Sequence, residues 1–142
     1  MNRILVIDDE ATIRELLKDF LESKGVEVVA TSSGESGLNY LKEEKFDLFL
    51  LDLMMPGMSG LDVLKEVSAE KIEVPSIVIT AHATVQTAVE AMKLGAFDYI
   101  TKPFNLEELY ISIYRALDVS RLQEENARLK KELKKKFGYS KI

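Results

Sequence analysis

Five short apolar runs recur along the chain, with a stretch of helical spacing between each pair. The runs are RILVID (3–8), VEVVAT (26–31), DLFLLD (47–52), PSIVITA (75–81) and FDYITK (97–102). A strand that repeatedly feeds a helix and then another strand builds a parallel sheet, because parallel neighbours need a long crossover. Runs one, three and four are nearly continuous in apolar residues, as in strands covered on both faces. Ile13, Leu16, Leu17, Phe20 and Leu21 mark the first helix, with Gly25 as its stop. GESGLNYLKEEK (34–45) is the second, and Leu61, Leu64 and Val67 mark the third. Val85, Ala88, Val89 and Met92 mark the fourth, closed by Gly95. Asn105, with Glu108 three residues later, makes a capping-box-like start for the fifth. The expected fold is α/β: a doubly wound, five-stranded parallel sheet of order 2-1-3-4-5 with right-handed crossovers.

The length of 142 residues, 46% of them apolar, suits one such domain plus an appendage. With no cysteine, disulfides and thiolate metal sites are excluded. The first ten residues, MNRILVIDDE, hold one basic residue and too short an apolar run for a signal peptide. No segment approaches the roughly 20 apolar residues that span a bilayer, so a cytoplasmic protein with no membrane contact is expected. Residues 1–118 carry a net charge of −10 and residues 119–142 a net charge of +5. The acidic body argues against nucleic-acid binding. The basic tail marks a change of organisation.

From Leu106 to about Lys136 no Pro or Gly interrupts the last helical pattern. Val119, Leu122, Asn126, Leu129 and Leu133 fall on heptad a and d positions, with Glu125 at g and Lys130 at e. This predicts a helix extended into a dimeric, parallel coiled-coil linker over 119–136. The asparagine at an a position favours two strands in one register. The competing explanation is a solvated amphipathic helix lying against its own domain.

In the expected fold, ligands bind beyond the carboxyl ends of the strands where strand order reverses, between strands 1 and 3. Strand 1 ends in Asp8-Asp9-Glu10 and strand 3 in Asp52. Converging carboxylates repel, and a hard divalent cation such as Mg²⁺ (or Mn²⁺) relieves the conflict. Asp9 is also explained as the cap of the first helix. Asp52 is followed by LMMPG rather than by a helix, so capping does not explain it. Thr80, followed by the small Ala81, ends strand 4, and Lys102 ends strand 5. A carboxylate, a hydroxyl and an ammonium at neighbouring strand ends can hold a phosphoryl group: Asp52 as acceptor, Lys102 and the metal as charge neutralisers, Thr80 as donor.

VIDDE, LLDLMMPGMSGLDVL, VITAHA and GAFDYITKPF together resemble a response-regulator receiver domain of two-component signalling, over residues 3 to about 118. The resemblance implies that Asp52 accepts phosphate from a sensor histidine kinase's phosphohistidine. It implies Mg²⁺ held by Asp9, Asp52 and the Met54 carbonyl, with Asp8 acting through water. It also implies Thr80 and Lys102 as a switch pair, a cis bond before Pro103, and Tyr99 as an aromatic switch. Met54 and His82 occupy the positions that tune phosphoryl lifetime, and Met54 predicts a long-lived phosphoaspartate. The stretch TAHATVQTAVEAMKLGAFDYITKPFNLEEL is similar, more narrowly, to the NtrC/DctD group of sigma-54 activators. That similarity implies that residues 137–142 begin a downstream AAA+ ATPase domain. Tyr99 turning into space vacated by Thr80 would alter the surface of helix 4, strand 5 and helix 5, which with the linker is the expected homodimer and output face. No Walker A loop is present in this chain, which is expected to be no enzyme beyond slow self-dephosphorylation.

Two rivals share the fold. A flavodoxin-like cofactor binder needs a Ser/Thr/Gly loop after strand 1, where this chain has three acids. An aspartyl-phosphate phosphatase needs a general acid beside its nucleophile and usually a larger cap, and neither is legible here.

Overall fold

The computed structural model describes residues 2–137. Ten elements alternate: β1 (Arg3–Ile7), α1 (Ala11–Ser23), β2 (Glu27–Thr31), α2 (Gly34–Glu43), β3 (Leu48–Leu51), α3 (Gly60–Ala69), β4 (Ser76–Thr80), α4 (Val85–Lys93), β5 (Asp98–Thr101) and α5 (Leu106–Phe137). All strand pairs are parallel, in the order β2-β1-β3-β4-β5.

Side chains alternate across the strands, so each strand contributes to two cores. Leu5, Ile7, Phe49, Leu51 and Val78 face Leu38, Leu41, Val63, Leu64, Val67 and Ala91 of α2, α3 and α4. Ile4, Val6, Leu48, Leu50, Ile77 and Ile79 face Leu17, Leu21, Leu109, Ile113 and Ala116 of α1 and α5. Most of these side chains are fully buried. Each of the Val, Leu, Ile and Phe side chains contributes about 1.5–3 kcal/mol relative to exposure. A sheet packed on both faces is a stiff base for groups projecting from its edge.

The observed strands are shorter than their apolar runs. Asp8, Asp52, Ala81 and Lys102 lie just past the last strand residue. Three of them remain tied to the neighbouring strand by their own N–H. Asp8 donates to the Thr31 carbonyl (3.1 Å), Asp52 to Ile7 (3.0 Å) and Lys102 to Thr80 (2.9 Å). Gly25 and Gly95 follow the ends of α1 and α4 with φ of +82° and +99°, as stop signals should.

The Asn105 Oδ1 accepts from the N–H of Glu107 (2.8 Å) and of Glu108 (3.2 Å). That is a cap, but among the described residues the return bond from the Glu108 side chain is not made. Full capping boxes instead start α3, from Ser59 and Asp62, and α4, from Thr84 and Thr87.

Helix α5 runs unbroken for 32 residues. Beyond Ser120 every described side chain is exposed. Val119, Leu122, Leu129 and Leu133 are 41–53% exposed, and Asn126 is exposed beside them. Of the expected downstream start at 137–142, Phe137 ends α5 and 138–142 lie outside the described residues. Among the described residues no helix is long and apolar enough to cross a membrane.

Candidate functional site

Three strand ends are shaped by the same local device. A short polar side chain takes the N–H two residues on, bending the chain away from the sheet. At β1 the Asp8 Oδ1 accepts from Glu10 (2.9 Å). At β3 the Asp52 Oδ1 accepts from Met54 (3.1 Å), and at β4 the Thr80 Oγ1 accepts from His82 (3.2 Å). Each aspartate thus has one oxygen fixed by its own loop and the other aimed across the sheet edge.

The second oxygens meet Lys102. Its ammonium donates to Asp8 Oδ2 (2.9 Å), Glu10 Oε1 (3.1 Å) and Asp52 Oδ2 (3.2 Å). Asp8, Asp52 and Thr80 are 3%, 4% and 0% exposed. Lys102 comes from the far edge of the site, on the turn after β5, where the Lys102–Pro103 bond is cis. Gly60, at the start of α3, closes the acceptor side. A Cβ there would lie 2.3 Å from the Asp52 carbonyl oxygen and 2.7 Å from the Leu53 Cα.

Three carboxylates around one ammonium leave two formal negative charges uncompensated. Burial pushes the Asp8 carboxyl above its usual range and the Asp52 charge adds to the rise, against the opposing pull of the Glu10 N–H and Lys102. Burial works against the Lys102 charge, but its bonds to Asp8 and Glu10 and the nearby Asp52 outweigh it, so its pKa is raised. The donor set is all hard oxygen, with ligand atoms of Asp8, Glu10 and Asp52 within 4.8 Å of one another. In charge and in donor type this fits a divalent cation such as Mg²⁺.

The acid brought into this cluster is Glu10 rather than Asp9. Asp9 is exposed, and it does not cap α1 either: Glu10 is the N-cap residue, without a side-chain cap bond. Of the expected metal residues, Asp8 and Asp52 are in the group of three carboxylates, and Asp9 is not.

The remaining predicted residues surround the cluster. Ala81 and His82 follow Thr80 and are exposed, and Met54 is 56% exposed beside Asp52. Tyr99 is half-buried against the α2–α4 side of the core, and its hydroxyl pairs with Thr87 Oγ1 of α4 (2.8 Å). Thr87 and Glu10 were not among the expected site residues. Thr87 has a signal in hindsight, since it is the fourth residue of a T-x-x-T cap.

The strand-end Asp52 thus shares the Lys102 ammonium with a second buried carboxylate, Asp8. The family described as the response regulator receiver domain matches residues 4–114. The chain belongs to that family. Regulatory protein AtoC of Escherichia coli K12 is 37% identical over 142 residues, which is all of this chain and 31% of AtoC. Transcriptional regulatory protein DltR of Streptococcus agalactiae is 43% identical over 111 residues, 78% of this chain and 50% of DltR. The crystal structure of NtrX from Brucella abortus superposes with a TM-score of 0.83 at 35% identity, covering 91% of this chain and 30% of NtrX. The receiver domain and its helix therefore span less than a third of the length of AtoC and NtrX. The chain is a receiver domain of two-component response regulators related to those proteins.

Proposed function

We propose that Asp52 accepts a phosphoryl group from the phosphohistidine of a sensor histidine kinase, and that this switches a regulator of the sigma-54 activator group. The observation that carries the reading is Asp52 itself, 4% exposed, tied by one oxygen to the Met54 N–H and by the other to Lys102. In the transfer an Asp52 oxygen bonds to phosphorus as the phosphorus–nitrogen bond breaks, and the imidazole nitrogen keeps the electron pair. Asp8 and Asp52 would hold Mg²⁺, which would supply neutralisation of the developing phosphoryl charge. The Met54 carbonyl is a further oxygen donor by family resemblance.

Phosphorylation adds about −1.5 to −2 charges and three strong acceptors. Lys102 and Thr80 each gain a contact with a charged group, worth about 1.5–3 kcal/mol. Inverting a 1:99 population takes about 5.5 kcal/mol, so two such contacts are of the right order. For Thr80 the move means giving up the His82 N–H. Tyr99, bonded to Thr87, is the link to α4. Val85, Val89 and Met92 on α4 and Ile111 on α5 are 46–83% exposed, and with β5 they form the face assigned to homodimerisation and output.

The linker adds the second dimer contact and leads to an AAA+ domain in the whole protein. The AtoC match runs through the linker to the last residue, whereas the DltR match spans only 111 residues, and this supports the sigma-54 context. The domain acts in the cytoplasm as a phosphoacceptor rather than an enzyme, with slow self-dephosphorylation because Met54 carries no group to orient a water.

Radiolabelled acetyl phosphate tests the reading. The wild type takes up label in a Mg²⁺-dependent way and Asp52→Asn does not. Equal labelling of the two proteins would sink it.

A further inference from the structure

Of the three carboxylates on Lys102, two are fixed and one is free to leave. Asp8 and Asp52 are almost fully buried, and each commits its other oxygen to a backbone N–H. The Glu10 side chain is 55% exposed, and among the described residues Lys102 is the only partner of its carboxylate. We propose that Glu10 is a releasable latch on Lys102: a positioning residue that holds the ammonium in its three-way grip and lets go when the lysine turns to a phosphoryl group on Asp52. This rests on the phosphoacceptor reading above and assigns a role to a residue that the family resemblance does not include.

The argument is one of geometry and solvation. A phosphoryl group on Asp52 places its oxygens beyond the present carboxylate, so Lys102 must follow them. The Asp8 contact can persist, because Asp8 is anchored beside Asp52 in the next strand of the sheet. Glu10 approaches from the solvent side, on the chain leading into α1. Once released, its carboxylate regains water at little cost. An exposed ion pair of this kind biases an equilibrium by a factor of about two to five. Glu10 therefore opposes the activated arrangement weakly, enough to tune its population without blocking it. The competing role is that of a third oxygen ligand to the metal, which the 4.8 Å grouping allows. The two roles predict opposite effects of shortening the side chain.

The experiment titrates the full chain with beryllofluoride, an aspartyl-phosphate mimic, at saturating Mg²⁺, followed by fluorine NMR. Two variants are compared with the wild type. Glu10→Gln removes the charge. Glu10→Asp keeps the charge but falls one methylene short of the lysine. The latch predicts that both variants bind beryllofluoride about two- to fivefold tighter, and that Glu10→Asp binds Mg²⁺ alone as the wild type does. Tightening in Glu10→Gln with none in Glu10→Asp would mean that the charge acts through space, and the latch is then wrong. A loss of Mg²⁺ affinity of about tenfold in Glu10→Asp would make Glu10 a metal ligand and overturn the proposal equally. If the wild type binds no beryllofluoride in Mg²⁺, the phosphoacceptor reading itself fails, a result distinct from either.

Discussion

At the scale of single residues, proton, metal and lysine compete for the same oxygens. Asp8 keeps its proton to higher pH than an ordinary carboxyl, chiefly because it is buried. Metal binding needs the carboxylate, so the proton is released when Mg²⁺ arrives. The sign follows: Mg²⁺ affinity falls as pH is lowered through the raised Asp8 value. Without metal, the stability that a raised acid pKa contributes is fully present below the ordinary carboxylate range. It is lost as pH rises through the folded value. Lys102, Glu10 and Asp52 are the charged groups that face Asp8. Calorimetry in two buffers of different ionisation enthalpy should report proton release on Mg²⁺ binding, growing as pH falls toward the raised Asp8 value. Gly60 gives a steric prediction. The atoms a Cβ would strike are the backbone of Asp52 and Leu53, which cannot rotate away. Gly60→Ala should destabilise the fold by about 1–3 kcal/mol in urea unfolding and depress labelling of Asp52 more than its stability loss explains. The acid ending DLFLLD is legible from sequence, because an ionised carboxylate closing a core strand needs a reason. Which of Asp9 and Glu10 turns inward is not. It depends on the Asp8 side chain capturing the Glu10 N–H, a choice that neighbouring acids in a sequence leave open.

At the scale of elements, periodicity carries most of the information. Each of the five strands falls within its run and each helix lies on its pattern, because strands covered on both faces and one-sided helices have different spacings. The ends are less legible. The last residues of three runs, Asp8, Asp52 and Lys102, belong to the loops, where the two aspartates take the N–H two residues on. The capping box of α4 escapes a search for Glu or Gln at its third position, because Thr87 fills that place and also receives Tyr99. Helix α5 carries the prediction proper to this scale. Its uncovered stripe suits a partner helix, and burying each leucine there is worth about 1.5–3 kcal/mol. Leu122→Ala with Leu129→Ala should therefore weaken self-association at least tenfold by sedimentation equilibrium, with urea unfolding of the body unchanged. Unaltered association would remove the linker from the dimer.

At the scale of the whole molecule, two parts of opposite charge and different packing are joined by one helix. Residues 1–118 fold around two cores and hold the buried acid–lysine cluster, while the basic linker has no core of its own. An acidic body repels a second acidic body, so the proposed dimer draws on the uncovered apolar faces of α4 and α5 and on the linker stripe. The fold class and strand order follow from the alternation of runs. The cross-sheet reach of Lys102 depends on the turn at the end of β5, where the register of strands and loops decides which groups meet.

The absence of any break in α5 gives the receiver a rigid axle. With about 100° of rotation per residue, whatever follows the helix is clocked against the Asp52 edge of the sheet. Inserting seven residues after Leu133 in a full-length regulator should preserve phosphorylation-dependent transcription. Inserting two should abolish it while leaving Asp52 labelling intact, because the message would arrive turned by about 200°.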